Sequence, residues 1–146
     1  MRGAASVERA LRVALAVVAV AGLGVSIYLT VERARGRAPS CVVGGGCGTV
    51  QASRYAELAG IPVAWLGIAG YAGLLTAAAL PGAAGGALGL LVAVIAAGFS
   101  GWLTYVELGI LHAVCFWCVT SAVLVGIALL ICVARLAVAA PRPAPA

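Results

Sequence analysis

The chain has 146 residues, 64% of them apolar and 9% charged, and its net charge of +5 is carried by arginine without any lysine. A soluble domain carries about 25% charged residues. This composition therefore excludes a largely water-facing surface and makes a lipid bilayer the natural solvent. The arginines stand at the ends of apolar stretches, which sets nucleic-acid binding aside and reads as anchoring to anionic headgroups.

Four apolar stretches follow one another, at residues 13–31, 61–80, 87–106 and 108–134, none containing Lys, Arg, Asp or Glu, with Glu107 between the last two. A helix rises about 1.5 Å per residue, so each is long enough for a hydrocarbon core of about 30 Å. The alternation of barrel strands is absent. Arg2, Arg9 and Arg12 before the first stretch also fit a signal peptide, but the apolar run exceeds a signal core and ends in charge (Glu32, Arg33, Arg35, Arg37), so it reads as a retained span. Residues 32–60 form the sizeable polar loop, with a short interfacial helix expected over 50–58. Gly60 and Pro62 start the second span, Pro81 to Gly86 turn the chain into the third, and Glu107 to Gly109 link the third to the fourth. The Pro/Ala-rich end, 141–146, reads as a disordered tail. Gly67, Gly70 and Gly73, and Gly85 with Gly89, provide small faces for close helix packing. The expected fold class is an all-α membrane protein: one domain over residues 1–140, a four-transmembrane-helix bundle with a cysteine-bearing loop. Charge does not orient it, because an inside N-terminus puts five arginines inside (2, 9, 12, 135, 142) and four outside (33, 35, 37, 54).

Five cysteines are present, and four fall into pairs: Cys41 and Cys47 around a glycine run in the loop, and Cys115 and Cys118 as Cys-Phe-Trp-Cys near the start of span four. Two crossings separate the pairs, so both lie at one membrane face whatever the orientation. Cys-x-x-Cys places two thiols on one helix face, where a helix N-terminus favours the attacking thiolate. The Gly44-Gly45-Gly46 run makes the loop pair mobile. A mobile pair beside a rigid pair is the arrangement of a dithiol relay. Other readings stand beside it: a static loop staple, small buried hydrophobes, or a Cys₄ zinc site, disfavoured because thiolate charge would sit in an apolar helix. Cys132, fourteen positions beyond Cys118, reads as a spectator.

A relay in a membrane needs an electron acceptor. The sequence shows no cluster motif, GxGxxG fingerprint or phosphate loop, and its single histidine, His112, excludes a bis-His haem within one chain. A quinone, menaquinone or ubiquinone, remains, with its ring near Cys118 and its tail in lipid. Phe116, Trp117, Trp65 and Tyr71 are candidate walls of its pocket, although aromatics at helical spacing also serve as packing.

Cys41 with the segment CGTVQASRYAELAGIP (47–62) and the segment LHAVCFWC (111–118) resemble the first-loop and fourth-helix motifs of the vitamin K epoxide reductase family, a resemblance that spans about residues 11–135. It implies that Cys118 faces the quinone, that Cys115 exchanges with Cys47, and that Cys41 receives electrons from a thioredoxin-fold, DsbA-like partner. Ser53 matches the family's loop Ser or Thr and is implied to hold the loop and polarise the site. For a bacterial member the resemblance implies the cytoplasmic (inner) membrane, both termini cytoplasmic, an extracytoplasmic active site, and disulfide formation in exported proteins. It also implies a separate partner, since no thioredoxin-like domain follows span four. Two positions depart from the family pattern. Ala122 stands where animal members have Tyr, against vitamin K epoxide as substrate, and Phe116 stands where bacterial members often have Pro. The alternative function is a non-catalytic membrane subunit with a structural loop disulfide; a transporter or channel ranks last because the spans lack charge.

Overall fold

A computed structural model describes residues 2–140, so the expected tail at 141–146 lies outside the described residues. The described residues hold five α-helices: α1 (Arg2–Ala34), α2 (Cys47–Ala52), α3 (Val63–Ala79), α4 (Gly82–Tyr105) and α5 (Phe116–Ala139). The segments α1, α5 and α4 with the turn that follows it are each long and apolar enough to cross a membrane. The 17-residue α3 is apolar but shorter, about 25 Å at 1.5 Å per residue. These four pack around one core built from Leu15 and Ala19 of α1, Tyr71, Leu74 and Ala77 of α3, Ala93 of α4, and Val125, Ala128 and Cys132 of α5.

Small residues set the approach of the helices. A Cβ at Gly22 would fall 2.0 Å from the Tyr71 ring, and one at Gly89 would fall 2.8 Å from the Cys132 sulfur. Gly70, in the expected glycine stripe of α3, meets no neighbour and instead borders a cavity.

The structure corrects the expected elements at three places. The interfacial helix expected over 50–58 is broken up. Helix α2 starts earlier, at Cys47, a 3₁₀ turn covers Arg54–Ala56, and the two-residue strands β1 (Glu57–Leu58) and β2 (Ile61–Pro62) pair antiparallel. Positive φ at Ala59 (52°) and Gly60 (81°) folds that hairpin, a strand element that the all-α expectation lacked. The link between the third and fourth spans also lies later than expected. Helix α4 runs on through a π turn, Val106–Leu111, and the chain reverses over residues 112–115, so α5 starts at Phe116 and not near 108. His112, at φ 50°, makes the reversal; it lacks the Gly or Pro by which a sequence announces a break.

The third correction concerns the arginines. Arg12 donates from Nε to the Ala78 carbonyl at 2.8 Å and from Nη2 to the Ala79 carbonyl at 2.7 Å. Arg135 is fully buried, donates to the Ala77 and Leu80 carbonyls at 2.9 and 2.8 Å, and pairs with Glu8 at 2.9 Å. Both guanidinium groups satisfy the orphan carbonyls at the C-terminal end of α3, where a cation also complements the helix dipole. They staple three helices together, a role beyond headgroup anchoring.

Candidate functional site

The four paired cysteines gather at the end of the bundle opposite this arginine staple. Cys41 and Cys47 form a disulfide, with Cα atoms 5.7 Å apart, while Cys115 and Cys118 are free thiols. Cys47, Val50 and Cys115 form one buried cluster against which Cys41, Leu111, Phe116, Trp117 and Cys118 pack.

The loop reaches this place by specific devices. Gly44 and Gly45 hold φ of 88° and 67°, which turn the chain back toward the bundle. Gly46 then lies directly on the reversal, where a Cβ would fall 2.5 Å from the Val114 carbonyl oxygen. On the other side of the disulfide, the Trp117 indole N–H donates to the Ser40 carbonyl at 2.8 Å. The Ser40 N–H donates to the Tyr28 hydroxyl at 3.1 Å, and the Tyr28 and Trp117 rings pack 4.9 Å apart.

Cys115 is the residue that caps α5, and Cys118 lies in that helix's first turn. The Cys115 N–H donates to Glu107 Oε2 at 2.9 Å. From α2, the Gln51 amide nitrogen lies 3.6 Å from the Cys118 sulfur and 4.0 Å from that of Cys115. The Cys115 thiol is lowered to about 7, chiefly by its hydrogen bond with Cys118 and further by Gln51, against burial and the Glu107 charge. The first deprotonation of this pair is therefore expected near pH 7, with thiolate present above that pH and lost below it. Ultraviolet thiolate absorbance of the Cys132→Ala protein checks this, and Cys118→Ala should move the inflection upward toward an ordinary thiol.

Beside Cys118 opens a cavity of about 530 Å³. Cys118, Ser121 and Val125 present one stripe of α5 to it, at the i, i+3, i+7 spacing of a helix face. Tyr71 and Leu74 of α3 and Ile95, Phe99 and Leu103 of α4 supply apolar wall, and Gln51, Ser53 and Glu107 the polar end. The Tyr71 hydroxyl donates to the Ser121 carbonyl at 3.0 Å and lies 2.8 Å from its Oγ, which fixes the ring across the cavity.

Of the expected pocket residues, Cys118 and Tyr71 line this cavity and the other three do not. Trp65 is 57% exposed on the outer face of α3, because six helical positions before Tyr71 is a rotation of roughly 120° away from it. Trp117 turns to the loop and Phe116 packs edge-on against it at 5.3 Å. Ser53 borders the cavity, and its hydroxyl donates locally, to the Val50 carbonyl at 2.7 Å at the end of α2. Gln51, Ser121 and Glu107 join the site beyond the residues expected from the sequence. For Glu107 a signal was available: it is the sole Asp, Glu, Lys or Arg between Glu57 and Arg135.

A model of the vitamin K epoxide reductase family matches residues 13–134, which takes in both cysteine pairs and all four long helices of the bundle in whole or part. The chain belongs to the vitamin K epoxide reductase family, a family of membrane thiol–disulfide oxidoreductases.

Proposed function

We propose that this protein is a membrane thiol:quinone oxidoreductase that oxidises a separate thioredoxin-fold, DsbA-like protein. One observation carries the reading: an oxidised loop pair and a reduced helix pair share one buried cluster, and the inner thiol of the helix pair borders an apolar cavity.

The electrons take three exchanges. A partner thiolate attacks Cys41, releasing Cys47, and the partner's second thiol completes the partner's disulfide and leaves Cys41 and Cys47 reduced. The Cys47 thiolate then attacks Cys115 of an oxidised Cys115–Cys118 pair, releasing Cys118. Cys41 resolves this mixed disulfide at Cys47. The product is an oxidised loop and a reduced helix pair, the state described above. A bound quinone supplies the sink for two electrons and two protons, and the Cys115–Cys118 disulfide re-forms. Gln51 donates toward both sulfurs and favours the thiolate form. Ser53, at the end of α2, keeps the loop against the site.

The cavity fits a quinone ring, menaquinone or ubiquinone. Its volume lies within the roughly 300–1,000 Å³ of small-molecule pockets, and it is apolar with a few polar groups at one end. Val42 and Val43, each 68% exposed beside the loop disulfide, offer apolar contact to a partner. The reading places a single domain over residues 1–140 in a bacterial cytoplasmic membrane, with α3 and its flanks as a fourth span, both termini cytoplasmic and the cysteine pairs extracytoplasmic.

Anaerobic quinol formation by purified protein supplied with a reduced thioredoxin-fold dithiol tests the proposal. Quinol is expected from the wild type. Its absence with both ubiquinone and menaquinone analogues would leave Cys41–Cys47 as a structural staple.

A further inference from the structure

Glu107 is 4% exposed and sits in the π turn that joins α4 to the reversal. One carboxylate oxygen is held by the Cys115 N–H at 2.9 Å, and the side chain borders the same cavity as Cys118, three residues beyond Cys115. A buried carboxylate in an apolar bundle is costly and needs a reason. The hydrogen bond to Cys115 explains its position but not the presence of an acid there, since an amide would accept that N–H equally well.

We propose that Glu107 is the proton carrier of the quinone half-reaction, taking the proton of the Cys118 thiol as that sulfur is oxidised and passing it into the cavity. This inference rests on the thiol:quinone reading above. Two adjacent thiolates repel in a buried site, so the pair retains one proton while Cys115 is ionised. When the Cys115–Cys118 bond forms, the Cys118 S–H bond breaks and two electrons leave for the quinone. The Cys118 proton passes through Glu107 to one quinone oxygen. The second proton, released earlier when Cys115 ionised, returns from solvent, so one disulfide and one quinol result.

The surroundings leave few other carriers. The titratable groups around the cavity are Cys118, Tyr55, Tyr71 and Glu107, with Cys115 adjoining; no Lys, Arg or Asp lines it among the described residues. His112, at the end of the π turn, is exposed and does not line the cavity.

Glu107→Gln tests the proposal because the amide oxygen keeps the acceptor for Cys115 while the proton-exchanging group is lost. Two single-turnover rates are compared without oxygen. One is quinol formation by protein whose helix pair is reduced beforehand. The other is oxidation of a reduced thioredoxin-fold dithiol by fully oxidised protein without quinone. Quinol formation is expected to fall about a hundredfold, the range of a lost general base, and dithiol oxidation less than about fivefold. In the wild type, the logarithm of the quinol rate should fall on the acidic side and reach a slope of about two once both Cys115 and Glu107 are protonated, because both must be deprotonated to react; Glu107→Gln should hold the slope at about one. A wild-type slope that never exceeds one, down to the pH of an ordinary carboxyl group, overturns the proposal whether or not the variant folds. Equal slowing of both rates, or an unchanged quinol rate, also overturns it and makes Glu107 a structural acceptor. Failure of the wild type to form quinol at all would instead remove the functional reading beneath it.

Discussion

Cys118→Ala is expected to reduce quinol formation to the uncatalysed background, a loss of at least about a thousandfold, as removal of an essential nucleophile does elsewhere. Cys118 is the one free thiol that lines the cavity; Cys115, four-square in the buried cluster, does not. The variant keeps Cys115, which can still form a mixed disulfide with the loop, so one step of thiol exchange should survive. Cys132 supplies the control. It is also a buried thiol of α5, but it packs against Gly89 in the bundle core and lies away from the cavity. Cys132→Ala should leave turnover within about twofold and cost stability by about 1 kcal/mol. Loss of turnover in both variants would point to packing; loss in Cys118→Ala alone places the chemistry at Cys118.

Gly46→Ala is expected to uncouple the two cysteine pairs. The added Cβ would fall 2.5 Å from the Val114 carbonyl oxygen and 2.7 Å from its nitrogen. These are backbone atoms of a reversal fixed by the left-handed His112 and by the Cys115 N–H held on Glu107, so the loop must yield and carry Cys47 with it. Misplacement of reacting groups by about 1 Å costs as much as a hundredfold. Electron transfer from a reduced partner to the helix pair should therefore fall by at least about tenfold. Quinol formation by protein whose helix pair is reduced beforehand should stay close to the wild-type rate. Gly48→Ala, whose Cβ would meet only the Ala38 methyl at an ordinary 3.4 Å, should be tolerated.

Much of this architecture was legible from residue runs. Charge-free stretches reveal helices, and paired cysteines separated by two such stretches must return to one end. What run lengths do not reveal is a break inside an apolar segment. The reversal at 112–115 contains no proline or glycine, so run length alone extends α5 back to 108 and misses the later helix start that Cys115 caps. Side-chain direction was the second gap. Trp117 stands one residue before Cys118, yet its indole reaches back to Ser40 and secures the loop, because adjacent helical positions face about 100° apart. By sequence Arg12 and Arg135 fit headgroup anchors, because nothing in a sequence shows that the end of α3 leaves carbonyls for them to meet.

The relay itself is tested most directly by trapping its intermediate. In a Cys41→Ala, Cys118→Ala double variant, with the resolving thiol of each pair removed, Cys47 and Cys115 remain as the two exchanging sulfurs in one buried cluster. Mild oxidation followed by blocking of free thiols and peptide mapping without reductant should recover a Cys47–Cys115 disulfide in most of the protein. Recovery of both cysteines in blocked, unlinked form under conditions that re-form Cys41–Cys47 in the wild type would contradict a relay between the two pairs.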